Sequence, residues 1–104
     1  MIKMSRVGSS SEIIQLISQY IPNEHRILFL KSLLEVYGSI YKTSKMTKIS
    51  RPQLYRYLAT EKRCYPNDEV TARILQALLE IKRTWTKDQL KQLSKEFNEI
   101  VNKI

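Results

Sequence analysis

Glycine, proline and cysteine are scarce in this chain. Its 104 residues include 2 Gly, 3 Pro and 1 Cys. So few helix-breaking residues favour helices joined by short connections. The single cysteine, Cys64, excludes an intrachain disulfide and a cysteine-based zinc site. With His25 as the only histidine, we expect no metal, no cofactor and no enzymatic activity, because no ligand cluster or nucleophile–base pair is present.

Long apolar runs and strand patterns are also missing. No apolar run approaches the roughly 20 residues that a membrane-spanning helix needs, and the basic, polar N-terminus lacks the apolar segment of a secretory signal. We therefore expect no membrane partner and a cytoplasmic, nucleoid-associated location. A chain of this length accommodates one domain with a modest core.

Apolar residues recur at helical spacing along most of the chain. This spacing predicts an all-α fold, a compact bundle of five to six helices with a central helix–turn–helix. We expect a flexible N-terminus over 1–9, a DNA-binding domain over 10–85 and a C-terminal amphipathic helix over 86–104. Thr86 and Gln89 form a T-x-x-Q capping box that opens this last helix. In the helix from Asp68 to about Arg83, the predicted core residues are Val70, Ile74, Leu75, Leu78 and Ile81.

Positive charge is concentrated in one quarter of the chain. Residues 39–63 carry seven Lys or Arg against one acid, Glu61, which is +6 of the total net charge of +8. A charge run most often marks a solvated face. Here the charges cluster at predicted helix starts, which is typical of a surface that binds nucleic acid.

The same segment carries the signals of two short helices around a tight turn. Ser39 and Ser50 are predicted N-caps, and Pro52 falls in a first helical turn, where its missing N–H costs nothing. Lys48 and Ile49 lie in the turn between the helices. The second helix, 51–60, would anchor through Ile49, Leu54, Tyr57 and Leu58.

The exposed face of that second helix offers side chains that read bases. Arg makes bidentate contacts with guanine, and Gln does so with adenine. The predicted base contacts are Arg51, Pro52, Gln53, Tyr55 and Arg56. The predicted phosphate contacts are Ser39, Tyr41, Lys42, Lys45, Lys48, Ser50, Lys62 and Arg63. The four tyrosines at 41, 55, 57 and 65 are predicted to be half in the core rather than stacking platforms, with Tyr55 balanced between the two.

The segment ISRPQLYRYLATEKR, followed by PNDEVTARILQAL, resembles the lambda-repressor/Cro type of helix–turn–helix domain. The resemblance covers about residues 30–79 and implies base contacts at Arg51, Pro52, Gln53 and Arg56, with Ser39, Ile40 and Ser50 near phosphates. Lys48 stands where the family usually has Gly, so we expect a left-handed turn conformation there at some energetic cost. Thr43, Ser44 and Thr47 stand in the helix where the family usually buries Leu and Ala.

The last helix carries an apolar seam. Leu90, Leu93, Phe97, Ile100 and Ile104 follow one another at heptad spacing, which is typical of a coiled-coil contact. A helix that folds back on its own core uses the same stripe, and that alternative remains open. We predict that the seam is a homodimer interface, because a DNA reader of this size gains affinity and operator symmetry by pairing.

The sequence thus predicts a sequence-specific protein that binds double-stranded DNA, a dimeric transcriptional regulator that inserts the helix 51–60 into the major groove. One alternative is a DNA-organising, plasmid-partition or recombination accessory protein. Another is a protein-interaction module whose basic face meets an acidic partner.

Overall fold

A computed structural model describes residues 10–104, which form six α-helices and contain no strand. The helices are α1 Ser10–Ser18, α2 Asn23–Tyr37, α3 Ile40–Thr47, α4 Arg51–Leu58, α5 Asp68–Ile81 and α6 Arg83–Val101. The predicted all-α bundle of five to six helices is confirmed. The expected flexible N-terminus, 1–9, lies outside the described residues.

α5 is the helix around which the others are arranged. It packs against α1, α2, α3 and α6, and its acidic first turn and Asn67 cap suit a helix N-terminus. The fully buried side chains come mainly from α2, α4 and α5, and their interlocking faces make one core. They include Phe29, Leu30, Leu33, Ile49, Leu54, Ile74, Leu75 and Leu78.

A buried arginine ties three parts of the chain together. Arg26 of α2 is only 7% exposed. Its guanidinium donates to the carbonyl oxygens of Ser18, Ile21 and Pro66 at 2.9, 2.8 and 2.8 Å, and to Asp68 Oδ1 at 2.8 Å. The end of α1 and the start of α5 are therefore fixed to α2 through one side chain.

The start of α6 differs from the prediction. The helix begins at Arg83, so the capping box assigned to Thr86 and Gln89 is wrong and the expected boundary at 86 falls inside α6. Thr86 is fully buried, and the Trp85 ring meets Phe29 edge-on with centroids 6.1 Å apart. The first turn of α6 lies on the core because this packing outweighs the local capping signal.

The end of α5 differs as well. α5 ends at Ile81, because Lys82 leaves the helical conformation at φ −136° and ψ 54°. Ile81 is 42% exposed, so its assignment to the core is wrong. The other four predicted core residues of this helix are buried, namely Val70, Ile74, Leu75 and Leu78.

Candidate nucleic-acid interface

The connection between α3 and α4 is three residues long, and its first residue has a left-handed conformation. Lys48 has φ 62° and ψ 25°, and it is the only non-glycine residue with positive φ within residues 10–104. The expected left-handed turn is confirmed. The Lys48 N–H donates to the Ser44 carbonyl at 2.8 Å, and Arg73 of α5 donates to the Lys48 carbonyl at 3.3 Å. Hydrogen bonds to α3 and from α5 therefore hold the turn in place.

Two threonines seat α3 on the body of the protein. Thr43 and Thr47 are buried, yet their hydroxyls donate to the carbonyls of Ser39 and Thr43 at 2.8 and 2.7 Å. Because these bonds stay within the helix, the side chains can be buried without leaving a polar group unsatisfied. The sequence signal for this was the four-residue spacing of the threonines, which places both on one helical face.

α4 is anchored as the sequence predicts. Ile49, Leu54 and Tyr57 are buried and Leu58 is half-buried. Burial raises the pKa of the Tyr57 phenol above its ordinary value of 10.0. The buried side of α4 leaves its opposite side facing solvent.

Serine side chains cap both helices at their N-termini. Ser39 Oγ accepts from the Lys42 N–H at 3.0 Å, and Ser50 Oγ accepts from the Gln53 N–H at 3.3 Å. The Ser50 N–H in turn donates to Gln53 Oε1 at 3.4 Å, which completes a capping box. Gln53 is half-buried and its carboxamide oxygen is engaged at the cap.

The charge at these two N-termini is the reverse of what helices favour. α1, α2 and α5 carry acids in their first turns, whereas α3, α4 and α6 carry none. Lys42 and Arg51 lie in the first turns of α3 and α4 instead, beside the positive end of each helix dipole. An external anion is therefore favoured at both N-termini by the dipole and by the side chains together.

The predicted base-contact residues of α4 lie mostly on its open side. Arg51, Pro52, Tyr55 and Arg56 are exposed. The Arg51 guanidinium carbon lies 5.7 Å from the centre of the Tyr41 ring, a cation–π contact between α4 and α3.

The tyrosines divide into two groups. Tyr41 and Tyr55 are each 61% exposed. The prediction that Tyr41 lies half in the core is therefore wrong. For Tyr55 both positions were open, and its side chain faces solvent. Tyr57 is buried and Tyr65 is half-buried, as predicted.

The predicted phosphate contacts include a group of free lysines. Lys42, Lys45, Lys48 and Lys62 are exposed and form no salt bridge with any residue of the described chain. Tyr41, Ser39 and Ser50 are exposed beside them. The positive charges on α3, α4 and the segments that follow each helix therefore have no acidic partner within the described chain. We call this surface the basic face (residues 39–62).

Arg63 has partners within the chain. It pairs with Glu24 of α2 at 3.7 Å and lies over the Tyr65 ring at 5.9 Å, while the Tyr65 hydroxyl donates to Glu24 at 2.6 Å. This hydrogen bond raises the pKa of Tyr65. The cluster connects the loop after α4 to α2.

The apolar seam of α6 is split between two environments. Leu90 and Leu93 are half-buried and pack against the core. Phe97, Ile100 and Ile104 are 66%, 61% and 103% exposed. α6 ends at Val101, so the prediction of a helix as far as residue 104 is wrong and Ile104 follows the helix. Beside them an open groove of about 570 Å³ runs between α1 and α6, lined by Ile17, Tyr20, Ile21, Leu90, Lys91, Leu93, Ser94 and Phe97.

Comparisons of the chain with protein-family models, with curated proteins and with solved structures found no significant match. Within residues 10–104, no helix combines the length and the apolar character needed to cross a membrane. The same residues bring together no group of three His, Cys, Asp or Glu side chains that could hold a metal ion.

Proposed function

We propose that this chain is a sequence-specific DNA-binding protein, a homodimeric transcriptional regulator of the nucleoid whose α3–α4 pair acts as a helix–turn–helix. The observation that carries the proposal is the basic face. Its cations have no acidic partners among the described residues, and two of them, Lys42 and Arg51, lie in the first turns of helices that carry no acid there. Phosphates of a duplex supply the missing negative charge.

In this proposal α4 enters the major groove with its N-terminal half. Arg51, Tyr55 and Arg56 face outward while Leu54 and Tyr57 hold the helix on the body. Arg51 and Arg56 then meet base edges, and the lysines of α3 and the turn meet phosphates on either side. Gln53 contributes mainly by shaping the helix start, since its carboxamide oxygen is used at the cap.

The homodimer is proposed to form through the exposed part of the seam. Phe97 and Ile100 lie at heptad spacing on the last turns of α6, and Ile104 continues that spacing after the helix ends at Val101. A second copy would bury these side chains and the groove beside α1, and would present two copies of α4 to a two-fold symmetric site.

Salt dependence of binding tests the proposal. The chain is titrated into labelled duplex DNA at several salt concentrations. If a dimer meets six or more phosphates, the slope of log K against log salt should be about −5 or steeper, because each neutralised phosphate releases about 0.9 counterion. A slope near zero would exclude DNA as the partner and favour an acidic protein.

Arginine variants separate a regulator from a DNA-organising protein. Arg56→Ala should weaken binding to a selected site more than to random duplex, since a bidentate base contact discriminates by about 1–3 kcal/mol. Lys45→Ala is the matched control and should weaken both about equally, because phosphate contacts carry no sequence information. Equal losses for the two variants on both duplexes would favour the DNA-organising alternative.

A further inference from the structure

Arg51 occupies a position that stabilises neither the helix nor the fold. It is the first residue of α4, where a positive charge opposes the helix dipole. It is exposed and makes no salt bridge within residues 10–104. Its guanidinium carbon lies 5.7 Å from the centre of the Tyr41 ring of the neighbouring helix.

Tyr41 is equally hard to explain by packing. Its ring is 61% exposed and it is not part of the core. Its backbone is held in place because α3 is seated by Thr43 and Thr47 and capped by Ser39. A rigid helix therefore presents an aromatic face beside the start of α4.

We propose that Tyr41 is a positioning residue that directs the Arg51 guanidinium toward a base edge, so that the chain requires a guanine at one position of each half-site. This inference rests on the proposed DNA binding and assigns one base preference to it. The guanidinium is planar and stacks well on an aromatic face. A contact with the ring face uses none of the guanidinium N–H groups as hydrogen-bond donors, so they stay available for a bidentate contact with guanine.

The alternative for Arg51 is a phosphate. A long, unrestrained arginine at the edge of a duplex contacts whichever phosphate is nearest, and that contact carries no sequence information. Contact with the Tyr41 ring reduces the number of directions open to Arg51. This is why we assign Arg51 to base reading and leave the lysines at 42, 45 and 48 to phosphates.

Selection from a random duplex pool tests the proposal with the full chain. The wild type should enrich a guanine at one position of each half-site, and Arg51→Ala should lose the preference at that position. Tyr41→Ala should reduce the same preference by about two- to fivefold, the effect of an exposed cation–π contact. Tyr41→Phe should retain it, because the ring is kept. Lys42→Ala, next along α3, should lower binding to all sequences alike.

The possible failures are distinguishable. A wild type that binds no duplex overturns the proposed function as a whole. A wild type that selects a site whose guanine preference survives in Tyr41→Ala overturns only the role of Tyr41. A Tyr41→Phe chain that loses as much as Tyr41→Ala assigns the effect to the hydroxyl and also overturns the stacking argument. Thermal unfolding of each variant checks that the fold is unchanged, as expected for exposed positions.

Discussion

The basic face and the C-terminal half of α6 are both incomplete surfaces, in opposite ways. On the basic face the apolar side chains of α4 are directed inward and what faces solvent is unneutralised positive charge. At the end of α6 the charges are mixed and what faces solvent is the apolar stripe of Phe97, Ile100 and Ile104. The first surface fits a polyanion and the second fits another apolar surface.

In the proposed function, this difference would let the chain bind DNA at one surface and a second copy of itself at the other. Charge attraction acts over about a Debye length, some 8 Å at physiological salt, and weakens as salt rises. Apolar burial needs contact and strengthens in the presence of salts such as sulfate. Binding at the basic face should therefore weaken as salt rises, whereas association through the end of α6 should strengthen with salts such as sulfate. Substitutions in one surface should leave binding at the other unchanged.

Removing the end of α6 should have the largest effect on DNA binding. A chain that ends at Ser94 loses Phe97, Ile100 and Ile104 but keeps Leu90 and Leu93 on the core. We expect a folded monomer whose affinity for a two-fold symmetric site is lower by about 100-fold or more, because the second half-site no longer binds at high effective concentration. Sedimentation, circular dichroism and DNA titration measure the three properties.

A matched pair of variants in the full chain controls for length. The double variant F97S/I100S should also be monomeric, while Glu96→Ala on the same helix should remain dimeric. A full-length wild type that sediments as a monomer at micromolar concentration would refute the dimer. Unfolding of the Ser94-terminated chain would assign the end of α6 to the fold instead.

The second prediction contrasts a buried with an exposed arginine. Arg26→Ala removes four hydrogen bonds that join α1, α2 and α5. We expect it to lower the free energy of unfolding by about 3–5 kcal/mol, since three buried carbonyls lose their donor. Arg56→Ala should change stability by less than about 0.5 kcal/mol. Urea denaturation compares them, and similar losses would mean that Arg26 is not the tie between these helices.

The third prediction compares a buried threonine of α3 with a buried threonine at the start of α6. Thr47→Val removes a hydroxyl that donates to the Thr43 carbonyl and accepts from the Ile49 N–H, so it should cost about 1–3 kcal/mol. Thr86→Val in α6 should be neutral or stabilising, because this buried hydroxyl has no hydrogen-bond partner among the described residues. Thermal denaturation gives both values, and a destabilised Thr86→Val would reveal an unrecognised partner.

The smallest expected effect is at the turn of the basic face. Lys48→Gly should stabilise the fold by about 0.5–1 kcal/mol, because glycine adopts the left-handed conformation at φ 62° without strain. Lys48→Ala removes the same charge but keeps the strain, and should leave stability unchanged or slightly lower. Both variants should weaken DNA binding equally, which separates the charge from the backbone. A destabilised glycine variant would contradict the strain argument.

Prediction from the sequence succeeded where a local signal and the core agreed. The helix pair around Lys48, its serine caps and the left-handed Lys48 follow from residue types whose preferences are local, although α4 ends at Leu58 and not at the predicted residue 60. It failed where two distant segments compete. Thr86 was predicted to cap α6, but the Trp85 ring packs against Phe29 and the helix begins at Arg83. No local pattern marks Arg26 as the side chain that donates to Ser18, Ile21 and Pro66.

The sequence by itself determined that the chain is helical and that its positive charge is gathered at residues 39–63, because periodicity and composition need no partner to be read. The tertiary structure decided which of these apolar and charged side chains remain exposed and without a partner in the chain. It placed Leu90 and Leu93 of the seam on the core, turned Arg63 to Glu24, and set Arg51 against Tyr41. Helical periodicity marks the face that a residue occupies. Only the packing of helices far apart in the sequence decides whether that face is covered.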